Sequence, residues 1–350
     1  MFIKNAWYVA AWSDELTAAP LARRLLGEPV VLFRDAQGRA AALADMCCHR
    51  GSPLSRGLVV EAGIECGYHG MIFAGDGACV HIPGQVHIPG KARVRAYPVS
   101  EKDGCVWMWM GDPAATDATG MIEYPFHNDA ARWPHKKTLI PIAGNATLMI
   151  DNLMDLSHLG YIHRSTIGGG GSAQAHSEAL MDTQPAEDGL KFTRWQLDVL
   201  APPTYKRLVP SLGDRIDRWA EFEFTAPGVV THWVGGVNAN TGAYDKGMRE
   251  GGVSMRVFHG LTPETETSCH YFFSTLNGTR PDDPQATEAV FTEVHTAFLE
   301  DQAMVQAQQE RLAEFGEDAL INIHTDGARV HMRRILAKLL AREAGVALRN

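Results

Sequence analysis

The chain has 350 residues, 45% of them hydrophobic and 21% charged, with a formal net charge of -9. That length allows two domains with well-filled cores, while the acidic balance, without a long basic run, argues against nucleic acid and anionic membrane surfaces as partners. No stretch reaches the roughly 18 apolar residues of a membrane span. The N-terminal "MFIKNAWYVAAWSDEL" has too short an apolar run for a signal peptide. Six cysteines in such a chain fit a reducing compartment better than a disulfide scaffold. A cytoplasmic protein is expected.

Residues 1 to 112 read as short β segments broken by turns. "EPVVLFRDAQGRAAALADM" turns at Gln37-Gly38 and "GMIFAGDGACV" at Asp76-Gly77. "KDGCVWMWMGDP" is an apolar strand between two turn signals, suited to a packed core. Gly111-Asp112-Pro113 and the small residues after it mark the expected boundary, giving domains 1–112 and 113–350. Beyond it, "NATLMIDNLMDLSHLGYIH" has helical spacing. "KFTRWQLDVL", "DRWAEFEFTA", "GVVTHWVGGV", "VSMRVFHGL" and "TSCHYFFSTL" read as strands. Two helices follow, "EAVFTEVHTAFLEDQAMVQAQQERLAEFG" and "GARVHMRRILAKLLAREAG". The expected fold is α+β, an all-β N-terminal domain and then an antiparallel sheet packed on helices.

The first chemistry-bearing stretch is "CCHRGSPLSRGLVVEAGIECGYHG". Three readings compete for it: a zinc site, a disulfide with bystanders, or a holder for iron and sulfide. A structural zinc site favours two matching C-x2-C pairs. Here the spacing is C-x-H, sixteen residues, then C-x2-H. One thiolate and one imidazole on each turn suit a Rieske [2Fe-2S] centre, in which two cysteines hold one iron and two histidines the other. Cys47, His49, Cys66 and His69 are the expected ligands. Cys48 is an adjacent rival, but the C-x-H spacing selects Cys47.

The second stretch is "DNLMDLSHLGYIHRS". Two imidazoles and a carboxylate with open positions form the ligand set of non-haem Fe(II) oxygenases. His158 and His163 lie five residues apart, a rotation of roughly 500° on an ideal helix. They can share a metal only if the helix is broken, and Gly160 is the expected place. In the final long helix Asp301 falls inside an apolar stripe with Val294, Ala297, Phe298 and Val305, while Glu300 and Glu293 lean away. A buried carboxylate is costly unless paired or metal-bound, so Asp301 is the expected third ligand; a satisfied core acid is the alternative. Asp155, three residues before His158, is placed to accept from its imidazole. Asn152, one turn from the ligands, is a further candidate. The glycine run 168–171 lacks a phosphate-loop ending and reads as a loop or lid. Cys269, His270, His324, His331 and the "HMRR" segment read as strand or solvated-helix residues without chemistry.

With these motifs in place the chain resembles the oxygenase components of Rieske non-haem iron oxygenases. It looks closest to the vanillate O-demethylase, dicamba monooxygenase and toluenesulfonate methyl-monooxygenase branch. The likeness runs through "NAWYVAAW", "CCHRGSPLS…CGYHG", "DNLMDLSHLGYIHRSTIG", "LTPETETSCHYFF" and "EDQAMVQAQQE"; one departure is Cys-Cys-His where the branch commonly has Cys-Pro-His. The resemblance implies a helix-grip catalytic domain and a head-to-tail homotrimer, with Asp155 bridging His158 and a neighbour's His69. It also implies a separate reductase, carrying flavin and an iron–sulfur cluster, that feeds electrons from NADH. Substrates on this branch are small aromatic acids or phenols, and O2 is the co-substrate. By alignment with the branch, His232 and His259 fall where polar substrate groups are met; backbone or water partners are the alternative for them.

O-demethylation is the leading expectation. Methyl-group hydroxylation and ring dihydroxylation are its rivals within the same ligand set. A Rieske electron carrier, the non-enzyme reading, would need neither the second ligand set nor the length.

Overall fold

The computed structural model describes residues 1–116, 120–168 and 173–345. Two compact units form: Met1–Tyr124 with Thr262–Glu266, and the chain from Pro125 on without that short segment.

The first unit is built of strands β1 (Trp7–Trp12), β2 (Leu21–Leu25), β3 (Glu28–Arg34), β4 (Ala40–Ala44), β5 (Leu58–Val60), β6 (Gly63–Glu65), β7 (Ile72–Phe73), β8 (Cys79–His81), β9 (Ala96–Tyr97), β10 (Val99–Lys102) and β11 (Cys105–Trp109). They make three sheets, in the orders β1-β11-β10, β2-β3-β4-β9 and β5-β6-β7-β8. The run Val30-Val31-Leu32-Phe33 is apolar throughout because β3 divides two cores. Val30 and Leu32 face one with Tyr8, Val106 and Met108. Val31 and Phe33 face the other with Leu54, Ile64, Phe73 and both Cys47 and Cys66. A strand buried on both faces has no polar side to show.

The remaining strands, β12 (His135–Ile142), β13 (Leu180–Pro185), β14 (Gly189–Leu200), β15 (Arg215–Thr225), β16 (Val229–Asn238), β17 (Val253–Thr265) and β18 (Ser268–Asn277), form one sheet, ordered β12-β18-β17-β16-β15-β14-β13; only the end of β17, from Thr262, belongs to the first unit. The five expected strands are β14 to β18. The two edges, β12 and β13, carry half-exposed residues with little alternation, and the sequence pattern misses them.

The helices are α1 (Ala146–Met154), α2 (Leu159–Ile162), α3 (Ala173–Ser177), α4 (Pro203–Leu208), α5 (Pro284–Phe315) and α6 (Gly327–Glu343). Asp283 caps α5 by accepting from the N–H groups of Gln285 and Ala286, Pro284 opens the helix, and Gly316, at φ 75°, closes it. Its buried stripe is Val290, Ala297, Phe298, Asp301 and Val305, so the one carboxylate of the stripe faces the interior. The "HMRR" segment corrects the expectation of a solvated face. Met332 is fully buried, and Arg333 donates to both oxygens of the buried Asp151 on α1 at 2.5–3.1 Å. No helix among the described residues is long and apolar enough to cross a membrane.

Candidate metal centres and the adjoining cavity

Two loops of the same construction hold the cysteine–histidine pairs. In the first, Cys47 N–H donates to Ser52 O and Gly51 N–H to Cys47 O, at 2.8 and 2.9 Å. In the second, Cys66 N–H donates to Met71 O and Gly70 N–H to Cys66 O, at 2.8 and 3.0 Å. Gly51 and Gly70 close these turns at φ 73° and 68°, a region that side chains oppose. Cys47 and Cys66 are 2% and 1% exposed, whereas His49 and His69 are exposed, with ring centroids 4.6 Å apart. Burial, partly opposed by the His49 N–H and reinforced by the neighbouring Cys66 thiol, pushes the Cys47 thiol up to about 11. A buried thiol raised in this way becomes a thiolate only if a cation joins it, and the irons of a cluster are such cations. The four expected ligands are together, thiols inward and imidazoles outward. Cys48 is exposed, outside the buried pair.

The second set also converges. His158, His163 and Asp301 offer ligand atoms all within 4.8 Å of one another. Asp301 Oδ1 lies 3.5 Å from His158 Nε2 and 3.2 Å from His163 Nε2, near the roughly 3 Å that separates adjacent donors around a shared transition-metal ion. Each Nδ1 is already held: His158 by the backbone oxygen of Asp155 at 2.6 Å, His163 by Glu300 Oε2 at 2.7 Å. That fixes both rings with Nε2 toward one point. His163 Nε2 is buried without a hydrogen-bond partner. Burial lowers His158; in His163 burial acts the same way, but Asp301 and Glu300 outweigh it and the imidazole is raised. The three donors fit a divalent iron.

Three expectations need correction here. The helix breaks at Asp155, whose φ and ψ of -135° and 102° are extended, and Gly160 lies inside α2. It is the Asp155 carbonyl that meets His158; the carboxylate instead accepts from Ser157 N–H and Oγ at 2.9 Å and from Thr325 Oγ1 at 3.3 Å. Glu300 does not lean away from the site. It accepts from His163 and, at 2.9 Å, from Thr166 Oγ1. The missed signal is that each metal-bound imidazole needs an acceptor on its other nitrogen, and Glu300 neighbours Asp301 in sequence. Asn152 Nδ2 donates to Asp301 Oδ1 at 2.9 Å, so Asn152 is part of the constellation.

A cavity with about 910 Å³ of empty space, counting its open mouth, adjoins these donors. Leucine, valine, phenylalanine and Trp219 side chains dominate its wall, and Arg194, Gln196, Arg218 and His232 are its polar members on the sheet. His232 and His259 differ in position. His232 lines the cavity; His259 stands behind it, fully buried, with Nε2 3.2 Å from His232 Nδ1 and Nδ1 2.6 Å from the Tyr271 hydroxyl. Burial holds both imidazoles neutral, His259 down to about 3. With the Tyr271 hydroxyl donating to His259, His259 donates to His232 and His232 Nε2–H is a donor toward the cavity; with the reverse relay Nε2 is an acceptor. Tyr271 escapes sequence reasoning because a strand pattern does not say which side chain of β18 meets His259 on β17. The glycine run is outside the described residues from Gly169 to Gly171.

Residues 6–98 match the Rieske [2Fe-2S] domain, and residues 142–342 match the vanillate O-demethylase oxygenase C-terminal domain. The chain belongs to the Rieske non-haem iron oxygenases. It is 37% identical to a putative toluene-4-sulfonate monooxygenase system iron-sulfur subunit of Comamonas testosteroni, over 99% of each chain. Identity to a vanillate O-demethylase oxygenase subunit of a Pseudomonas species is 35%, covering 99% of this chain and 97% of that one. Among solved structures, dicamba monooxygenase bound to 3,6-dichlorosalicylic acid superposes with a TM-score of 0.91 at 30% identity, covering 98% and 99% of the two chains. This Rieske oxygenase is therefore the oxygenase component of a monooxygenase system, an oxidoreductase with a Rieske cluster and a mononuclear iron, served by a separate reductase.

Proposed function

We propose that this oxygenase component O-demethylates a small aromatic acid or phenol of the vanillate type. The observation that carries the reading is the His158–His163–Asp301 set opening on a largely apolar cavity. When bound, the cluster supplies electrons singly and the mononuclear iron supplies oxygen-activating chemistry. Cys47, His49, Cys66 and His69 would hold the former, in a domain of residues 1–112; His158, His163 and Asp301 would hold the latter, in a domain of residues 113–350.

The chain's own residues do the rest. Asn152 and Glu300 fix Asp301 and His163 by hydrogen bonds. The largely apolar wall would keep bulk water away from the substrate's ring and methoxy group. His232 makes one hydrogen bond to substrate, and His259 sets its tautomer. Hydroxylation of the methoxy carbon, with one oxygen atom of O2 inserted and the other leaving as water, gives a hemiacetal that breaks down to a phenol and formaldehyde. The two electrons come from NADH through a flavin and iron–sulfur reductase. In a head-to-tail homotrimer Asp155 would link the centres, its carbonyl on His158 and its carboxylate toward a neighbour's His69. A cytoplasmic setting suits the NADH supply.

Methyl-group hydroxylation is the second reading, favoured by the likeness to the toluenesulfonate system subunit. The test is NADH-driven turnover with a flavin/iron–sulfur reductase over methoxybenzoates, methylbenzoates and arylsulfonates. The expected result is formaldehyde released in step with loss of a methoxy substrate. A hydroxymethyl or diol product without formaldehyde would move the enzyme to methyl or ring hydroxylation.

A further inference from the structure

On its sheet side the cavity's charged members are Arg194 and Arg218, and among the described residues neither is held in an ion pair. Arg194 and Gln196 alternate on β14, and Gln196 pairs directly with Arg218 on β15. The two arginines are therefore diagonal neighbours on one face of the sheet, within reach of a single small group for side chains of their length. Both line the cavity. Arg194 is only 3% exposed, and its Nε is buried without a partner. Its other donors go to neutral acceptors: Nη1 to Gln196 Oε1 at 3.1 Å, Nη2 to the His176 carbonyl at 2.6 Å and to His176 Nδ1 at 3.3 Å. His176 is itself neutral, since its Nε2 donates to Gly168 O at 3.0 Å and leaves Nδ1 bare to accept. Arg218 donates from Nη2 to Ile167 O at 3.1 Å and lies over the Tyr205 ring. Among the described residues no carboxylate stands within ion-pair distance of either guanidinium. Burial, and then Arg218, pull Arg194 down to about 9 against the attraction of the Asp155 carboxylate, which does not reach ion-pair distance.

We propose that Arg194 and Arg218 seat the anionic group of the substrate, so that this enzyme takes aryl carboxylates or sulfonates in preference to neutral phenols and ethers. The proposal rests on the oxygenase reading above and narrows its substrate class. A desolvated oxyanion needs opposite charge as well as hydrogen bonds. His232 offers one neutral nitrogen, whereas Arg194 holds an unused donor and two arginines hold unused charge. His232 then meets a second polar substituent instead of the acid.

Binding measured without turnover tests this. The holoenzyme is titrated with 4-methoxybenzoate, 4-methoxybenzenesulfonate and their neutral amides, followed by calorimetry. The expected result is an acid bound about tenfold or more tightly than its amide. Whichever acid is preferred separates carboxylate from sulfonate. Arg218→Gln and Arg194→Gln should each remove that preference and leave amide affinity in place, and Arg194→Lys should restore part of it. Mononuclear iron content, set by ligands in the same unit as the two arginines, reports that each variant is folded there, and a structural role for Arg194 in holding α3 would not alter the acid-to-amide ratio. Amides bound as well as acids, a ratio unchanged in both glutamine variants, or no binding of either acid up to millimolar concentration would overturn the proposal. Retained acid preference without demethylation would instead count against the proposed chemistry and leave this site standing.

Discussion

Glu300 and Asp301 are consecutive on α5, yet they act on different nitrogens of one imidazole. Asp301 faces His163 Nε2, and Glu300 accepts from Nδ1. Removing the acceptor's charge should loosen a ligand that still reaches the metal. Glu300→Gln is therefore expected to weaken mononuclear iron binding by about 10–100-fold and leave cluster content unchanged; chelator competition with both irons quantified checks it, and unaltered iron retention would show that Glu300 is a bystander. The Tyr271–His259–His232 chain gives a pH prediction. Burial holds His259 at about 3 when folded, against an ordinary value near 6.5 in the unfolded chain. The unfolded chain alone takes up this proton as pH falls below about 6.5, so the stability His259 contributes is present above that pH and lost below it. Between about pH 7.5 and 5.5 the loss from this one residue is about 1.4 kcal/mol. Denaturant unfolding of the wild type at those two pH values should show that share, and His259→Gln should lack it; equal pH dependence in the two would contradict the assignment. The candidate ligands stand out in the sequence because cysteine, histidine and a carboxylate in an apolar stripe are costly residues in recognisable spacing. Glu300, Tyr271, Arg194 and Arg218 do not, because their partners come from other elements and no local pattern names them.

The break between α1 and α2 is the local structure on which the iron site depends. Asp155 leaves the helix, caps the next turn through Ser157, and turns its carbonyl to His158. The signal was present as Asp-Leu-Ser, a capping residue followed two positions later by its N–H donor. Gly160 drew attention instead because glycine is the commoner breaker. Behind α1 lies the clamp from α6. Asp151 is buried, Arg333 donates to both its oxygens, and Arg329 stands 3.4 Å away. Arg333→Ala would leave the carboxylate with one weaker partner. The expected loss is about 2–3 kcal/mol, toward the low side for a broken buried pair because Arg329 remains, seen as a lower unfolding midpoint with cluster content intact; an unchanged midpoint would show that the clamp adds nothing. The central strands and both long helices were legible from apolar runs and periodicity. The edge strands were not, since half-exposed strands of mixed residues look like loops.

Two kinds of chemistry sit in two separately packed units of this chain. The first places buried cysteines and exposed histidines on twin loops, an arrangement that can accept electrons at its surface. The second places two histidines and an aspartate beside an apolar cavity. An electron carrier would need only the first, so an oxygenase requires that the second be an iron site distinct from the cluster. The decisive measurement is iron per chain together with the electron paramagnetic resonance of the reduced protein, in the wild type and in Asp301→Ala. The expected result is that the variant loses the mononuclear iron alone, while the signal of a two-cysteine, two-histidine cluster is unchanged. Iron fully retained in the variant, or a cluster signal that disappears with it, would contradict the assignment.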